Sequence, residues 1–425
     1  MKPLSATGRS AAVWGRWVVV WIAVAAFPSA DLARSAEPAK KAPSTKAPSA
    51  EKEPDKQPSA FAVPDGTPEE IIQYLQKLGQ VQPPAQDEKA LAEFSKKVGT
   101  AALQAVDKIL AGKPNEQQAE YAMRVTLETL GMLDRFGDKQ AFAKLQAFPS
   151  ELQKLGWPKL ARMAAGVLLQ TRLTRAEASG AEQFKTVLED LKKFLSVGPL
   201  EPQDSELAVG AALAAERVDR AGLAVKAYAD FAKLFSASKD ERMVRFGAKL
   251  QGAARRLALQ GKPMEIQGVT PDGKAFDWAQ YKGKVVLVAF WATWCQYCRV
   301  ELGNILKNYE VYHDKGFDVL AVSMDQEKAD LASFLAENKL PWTVLFDHAL
   351  RTDAADKTLD TYYGIITLPE LILVGSDGKV VSMSVRGPAL GRELANLLGP
   401  PASPKTKAGD AKKTGSDKEG KPAKE

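Results

Sequence analysis

The sequence predicts a multidomain protein, with an all-α N-terminal domain followed by an α/β domain. Three observations carry this. At 425 residues the chain is too long for one ordinary domain. From residue 67 to about residue 260, apolar residues recur at helical spacing. Near Pro263 the pattern changes to short apolar runs alternating with amphipathic stretches, as in layered strands and helices. The expected division is an export segment over 1–36, a linker over 37–66, a helical domain over 67–262, an α/β domain over 263–399 and a tail over 400–425.

Lys2, Arg9 and Arg16 precede an apolar run from Trp17 to Phe27, and small residues follow. The run is shorter than the roughly 20 residues a spanning helix needs, so it reads as a signal peptide or an uncleaved signal anchor. Export to a bacterial periplasm would place the cysteines where disulfides persist. Residues 37–66 are rich in Pro, Ala and Lys and have too little apolar content to pack, as in a flexible tether. Residues 400–425 form a disordered, lysine-rich tail by the same reasoning. The net charge of +6 comes mostly from these lysine-rich ends, and no basic face is interleaved with aromatics. Nucleic acid is therefore not an expected partner.

Helical order is expected to begin at Thr67-Pro68-Glu69-Glu70. Thr67 and Glu70 make a capping box, Pro68 suits the first helical position, and Ile71, Ile72, Leu75 and Leu78 form one face. Breaks are expected near Pro83-Pro84, Gly112-Lys113-Pro114, Gly137, Gly156-Trp157-Pro158, Gly180 and Gly198-Pro199. Helices between such breaks would form either an irregular bundle or a tetratricopeptide-like array. No catalytic constellation is visible among them.

In the α/β domain, Met264–Val269 and Ala275–Trp278 read as short strands around Pro271-Asp272-Gly273-Lys274. Val285–Trp291 is apolar without alternation, so helices should cover both its faces. A helix over about Cys295–His313, a strand over Phe317–Met324, a helix over about Lys328–Asn338 and a strand over Trp342–Phe346 follow. A hairpin, Leu371–Val374 with Val380–Met383, and a helix over about Leu390–Leu398 end the domain.

The chain has two cysteines, Cys295 and Cys298, spaced C-x-x-C at the expected start of a helix. That spacing lets a disulfide close with little backbone movement. The helix dipole and free N–H groups favour a thiolate on the first sulfur. Cys295 is thus the candidate nucleophile and Cys298 the candidate resolving thiol. A structural disulfide over so short a loop would stabilise little. Zinc would need four ligands, and beyond the cysteines the chain offers only the histidines His313 and His348. No metal or other cofactor is expected.

These residues carry a family resemblance. Gly283-Lys284-Val285 through Trp291-Ala292-Thr293-Trp294-Cys295-Gln296-Tyr297-Cys298-Arg299-Val300-Glu301, then Thr367-Leu368-Pro369 and the closing hairpin, resemble the thioredoxin superfamily. The likeness is greatest to exported TlpA/ResA-type thiol–disulfide oxidoreductases and covers about a third of the chain. It implies a thioredoxin-like fold. It also implies that Pro369 is a cis-proline facing the dithiol, that Leu368 offers backbone groups to an extended substrate, and that Trp294 is an apolar rim beside Cys295. Glu301, one turn beyond Cys298, would accept its proton. Two positions depart from the pattern. Ala289 stands where ordinary thioredoxins carry a buried aspartate, and Gln296-Tyr297 lacks the proline common between the cysteines. The direction of electron flow therefore stays open. The peroxidatic pattern of peroxiredoxins is missing, with Trp291 where its proline would stand.

The expected function is an exported thiol–disulfide oxidoreductase that exchanges disulfides with client proteins, as a reductant fed by a membrane electron donor. The alternative is a helical protein-binding scaffold whose α/β domain is a redox-sensitive docking unit with little turnover.

Overall fold

The structure is a computed structural model, and it describes residues 60–84, 87–346, 358–383 and 385–400. The expected export segment, most of the linker, the tail beyond Pro400 and His348 lie outside these residues. Among the described residues no helix is long and apolar enough to cross a membrane.

The chain divides into two compact units, Met1–Thr171 and Arg172–Glu425, within one helix. The first unit holds α1 (Pro68–Leu78), α2 (Glu88–Ala111), α3 (Glu116–Arg135), α4 (Ala141–Lys154) and the start of α5 (Pro158–Ser179). The capping box at Thr67 and Glu70 forms as the sequence requires. Packing starts slightly earlier, at Phe61, whose ring meets Phe94 edge-on at 6.2 Å, while Lys108 binds the Val63 and Pro64 carbonyls. Sequential helices bury Ile71, Leu75 and Ile109 in one cluster and Leu130, Leu145 and Leu152 in the next.

The second unit continues with α6 (Ala181–Leu195), α7 (Pro202–Val218), a π-turn, α8 (Val225–Ser236) and α9 (Glu241–Leu257). The α/β elements follow: β1 (Val285–Trp291), α10 (Gln296–Tyr312), β2 (Phe317–Ser323), α11 (Lys328–Glu337), β3 (Thr343–Phe346), α12 (Leu359–Tyr362), β4 (Glu370–Val374), β5 (Val380–Ser382) and α13 (Pro388–Leu398). The compositional change at Pro263 lies inside this unit, because α9 packs directly on the segment around α12.

The sheet has the order β3-β2-β1-β4-β5. β1 is parallel to β2 and antiparallel to β4, which places β1 at the centre. Alternate residues of β1 serve opposite faces. Val285, Leu287, Ala289 and Trp291 join α10, α11 and α13 on one side, whereas Val286, Val288 and Phe290 join Met264, Ile266, Tyr281 and Leu359 on the other. The unalternated run therefore does signal two-sided burial, as expected, but the second face is covered by an extended segment and short α12.

That extended segment corrects one expectation. Met264–Val269 and Ala275–Trp278 form no ladder: they meet in one isolated bridge, Val269 with Ala275, and Pro263 just before them makes another with Lys379. Met264 and Ile266 bury their side chains, so alternation reported a buried face. Their backbone follows the sheet's hairpin loop, with the Met264 N–H donating to the Gly378 carbonyl.

Candidate active site

Cys295 is the N-cap of α10 and Cys298 lies in its first turn. The two are joined as a disulfide with Cα atoms 5.2 Å apart. Cys295 Sγ also accepts the Cys298 backbone N–H at 3.1 Å, so the donor that would favour a thiolate there is in place. The pair is asymmetric: Cys295 is 8% exposed and Cys298 1%. An incoming sulfur would meet Cys295 first.

Three exposed apolar side chains, Trp294, Tyr297 and Val300, flank the cysteines in sequence, one just before the N-cap and two in the first five residues of α10. Trp294 is 68% exposed, Tyr297 81% and Val300 72%. Three large apolar groups on one short stretch are a recognisable contact surface. Trp291 is the opposite case. It is fully buried in the cluster that contains both cysteines, and its place is set by packing, with the Phe334 ring 5.1 Å away.

The Leu368–Pro369 peptide is cis. Pro369 directly precedes Glu370, the β4 residue paired with Phe290 of β1. Leu368 packs on the cluster holding Cys295 and Cys298. Sheet pairing thus brings residues 368–370 and the cysteine turn to the same end of β1. Glu301 is partly buried, and its Oε1 accepts from the Gly387 N–H at 2.9 Å and from Asn304 Nδ2 at 2.8 Å. That oxygen is engaged at the start of α13. At Ala289 the core offers no carboxylate; the neighbours across the sheet are Ala321 and Leu371.

A further carboxylate lies close by and went unread in the sequence. Asp325 is 1% exposed. Its Oδ1 accepts the Thr293 N–H at 2.9 Å and the Thr293 hydroxyl at 2.7 Å, and its Oδ2 accepts the Ser323 hydroxyl at 2.7 Å. The cause is register: parallel pairing sets Trp291 opposite Ser323, so two residues further on Thr293 meets Asp325. From the other side, Arg299 Nε donates to the Thr293 carbonyl at 2.7 Å. The turn entering Cys295 is therefore pinned at both Thr293 backbone groups. The available signal was Ser323-Met324-Asp325 at the end of β2, where short polar side chains cap a strand.

The redoxin family model matches residues 257–397. This stretch is a thioredoxin-like redoxin domain. The chain is 29% identical over 161 residues to thiol-disulfide oxidoreductase ResA of Bacillus cereus, which covers 35% of this chain and 88% of that protein. It is 29% identical over 127 residues to ResA of Bacillus thuringiensis subsp. konkukian, covering 30% of this chain and 69% of that one. Among solved structures, the thioredoxin domain of a thiol-disulfide oxidoreductase from Bacteroides vulgatus is 32% identical, covers 33% of this chain and 97% of that one, and has a TM-score of 0.30. The redoxin domain is that of a thiol–disulfide oxidoreductase with Cys295 and Cys298 as its C-x-x-C pair.

One expected result tests the anchoring of the redoxin domain's cysteine turn. Asp325→Ala would leave the buried Thr293 N–H and hydroxyl without their acceptor, at a cost of about 1–3 kcal/mol. Its melting temperature and its rate of protein-disulfide exchange should both fall, and Asp325→Asn, which keeps one acceptor, should lose less. Thermal melts and an exchange assay on the three proteins measure this; equal melts would show that the anchor is dispensable.

Proposed function

We propose that the protein is an exported reductant of disulfides in client proteins. Cys295, as a thiolate, attacks one sulfur of a client disulfide in line. A Cys295–client S–S bond forms and the client S–S bond breaks, so the client stays attached through one sulfur while its other sulfur is freed as a thiolate. Cys298 then loses its proton and attacks Cys295 Sγ. This closes the Cys295–Cys298 disulfide and releases the second client thiolate. Two electrons pass to the client, and a dithiol donor at the membrane must return them. Glu301, one turn beyond Cys298, is the proposed acceptor of its proton, with Trp294 and the Leu368–Pro369 segment holding the client chain.

The observation that carries this reading is the asymmetric disulfide at the α10 N-cap, with the exposed Trp294, Tyr297 and Val300 close to it in sequence. A sulfur that keeps some exposure, a resolving sulfur that is almost fully buried and apolar contact area nearby in the chain are what a protein disulfide requires. Export accords with the N-terminal apolar run Trp17–Phe27 and with the use of a cysteine pair that closes as a disulfide.

The test is reduction of insulin by the full chain with dithiothreitol as donor. The expected result is turnover that falls to the uncatalysed background in Cys295→Ser. Turnover that survives this substitution would overturn the reading. Absence of turnover in the unaltered protein would favour the helical scaffold with a redox-sensitive docking unit.

A further inference from the structure

Arg256 lies in the last turn of α9 and is 3% exposed. It stands one residue before the stretch matched by the redoxin family model. Its Nη1 donates to Glu370 Oε1 at 2.6 Å and its Nε to the Tyr363 carbonyl at 3.1 Å. Its Nη2 lies 3.8 Å from Glu216 Oε1 of α7, the oxygen that accepts the Tyr228 hydroxyl of α8 at 2.8 Å. Three helices thus converge on one buried guanidinium, and that guanidinium holds Glu370. The other Glu370 oxygen is 3.5 Å from Arg386 Nη2.

The same helix holds the chain leading to this point. Arg255 Nη1 donates to the Tyr362 carbonyl at 2.7 Å, and its guanidinium sits 4.4 Å from the Tyr362 ring centre. Lys249 Nζ is 3.0 Å from Asp360 Oδ2. Residues 360–370 are therefore fixed from α9 at four places. They end beside Leu368, which packs on the cluster of Cys295 and Cys298, and at Glu370, which pairs with Phe290 of the strand entering the cysteine turn.

A buried ion pair of this kind adds little net stability over an apolar pair of similar shape. What it supplies is geometry, because a guanidinium fork fixes both the carboxylate and the carbonyl it binds. Disulfide exchange does not itself use Arg256. We propose that Arg256 is a positioning residue for exchange with protein clients. Through Glu370 and the Tyr363 carbonyl it sets the segment 363–370 beside Cys295, so α9, with the α7 and α8 groups that meet it, helps to shape the client site. This rests on the exchange activity proposed above.

The experiment uses the full chain with Arg256→Met, Arg256→Lys and the double variant Arg256→Met with Glu370→Met. Three quantities are read: KM and kcat for dithiothreitol-driven insulin reduction, the rate at which dithiothreitol alone opens the Cys295–Cys298 disulfide, and the melting temperature. For Arg256→Met, KM for insulin should rise about tenfold, the scale expected when a binding element shifts by a fraction of an ångström. Opening by the small dithiol, which needs no docking, should change by less than about twofold on the same grounds. Arg256→Lys keeps the charge without the fork and should fall between. It also carries the test if Arg256→Met does not fold. The double variant should regain melting temperature without regaining KM. An unchanged KM in folded Arg256→Met and Arg256→Lys, or a KM restored together with stability in the double variant, would overturn the proposal. Absence of insulin turnover in the unaltered protein would instead overturn the exchange reading beneath it.

Discussion

Gly364→Ala is expected to destabilise the second unit by about 2–5 kcal/mol. Two costs add. Gly364 has φ +58°, a left-handed conformation that costs a residue with a Cβ about 1–2 kcal/mol. A Cβ built there would also lie 1.9 Å from the Ala253 nitrogen and 2.3 Å from the Lys249 carbonyl oxygen. Both are backbone atoms of α9, so no flexible side chain can yield, and overpacking of this kind costs about 1–3 kcal/mol. The close approach is reciprocal, since a Cβ at Gly252 of α9 would lie 2.1 Å from the Thr361 carbonyl oxygen. Gly252→Ala has no left-handed conformation to strain and regains about 0.5–1 kcal/mol of helix propensity, so it should lose less. Gly303, on the solvent-exposed side of α10, is the control. Its Cβ would meet nothing within 4 Å, and Gly303→Ala should be neutral or slightly stabilising. Thermal and denaturant unfolding followed by tryptophan fluorescence rank the three. A Gly364→Ala protein that melts with the unaltered one would mean that α9 does not sit against this segment.

These contacts explain which parts of the architecture could be read beforehand. The Thr67–Glu70 capping box, the apolar run of β1, the Cys295 N-cap and the hairpin around Gly378 are local. Each depends on residues within a few positions, and each formed where expected. Thr293 with Asp325, and Arg256 with Glu370, depend on strand register and on how α9 docks. Nothing at position 256 distinguishes an arginine bound for the core from one on a solvated face, since Arg255 beside it is just as basic. Gly252 and Gly364 likewise look like ordinary helix and loop glycines until the two backbones are in contact. The misread strands near Met264 follow the same logic, because period-two burial is local and a ladder partner is not. Of the site, the sequence displayed the reacting sulfurs and the segment containing Pro369. It did not display the groups that hold them in place.

Cys298→Ser is expected to stop turnover while leaving the first chemical step intact. The mechanism separates the two sulfurs by exposure. In the proposed order Cys295, the more exposed of the two, is reached first and forms the mixed disulfide, while the almost fully buried Cys298 acts only on a sulfur already attached to its neighbour. A serine hydroxyl at 298 is not ionised at neutral pH and cannot displace a thiolate, so the client stays bound through Cys295. The backbone N–H of residue 298, which donates to Cys295 Sγ at 3.1 Å, is kept by the substitution, so support for the attacking thiolate is retained. In a periplasmic extract under non-reducing conditions, this variant should accumulate adducts that dithiothreitol releases, and mass spectrometry of the released proteins would identify the clients. The Cys295→Ser, Cys298→Ser double variant should yield none. If Cys295→Ser alone trapped the same clients and Cys298→Ser did not, Cys298 would be the attacking sulfur. The order of events drawn from the exposure of the two cysteines would then be reversed.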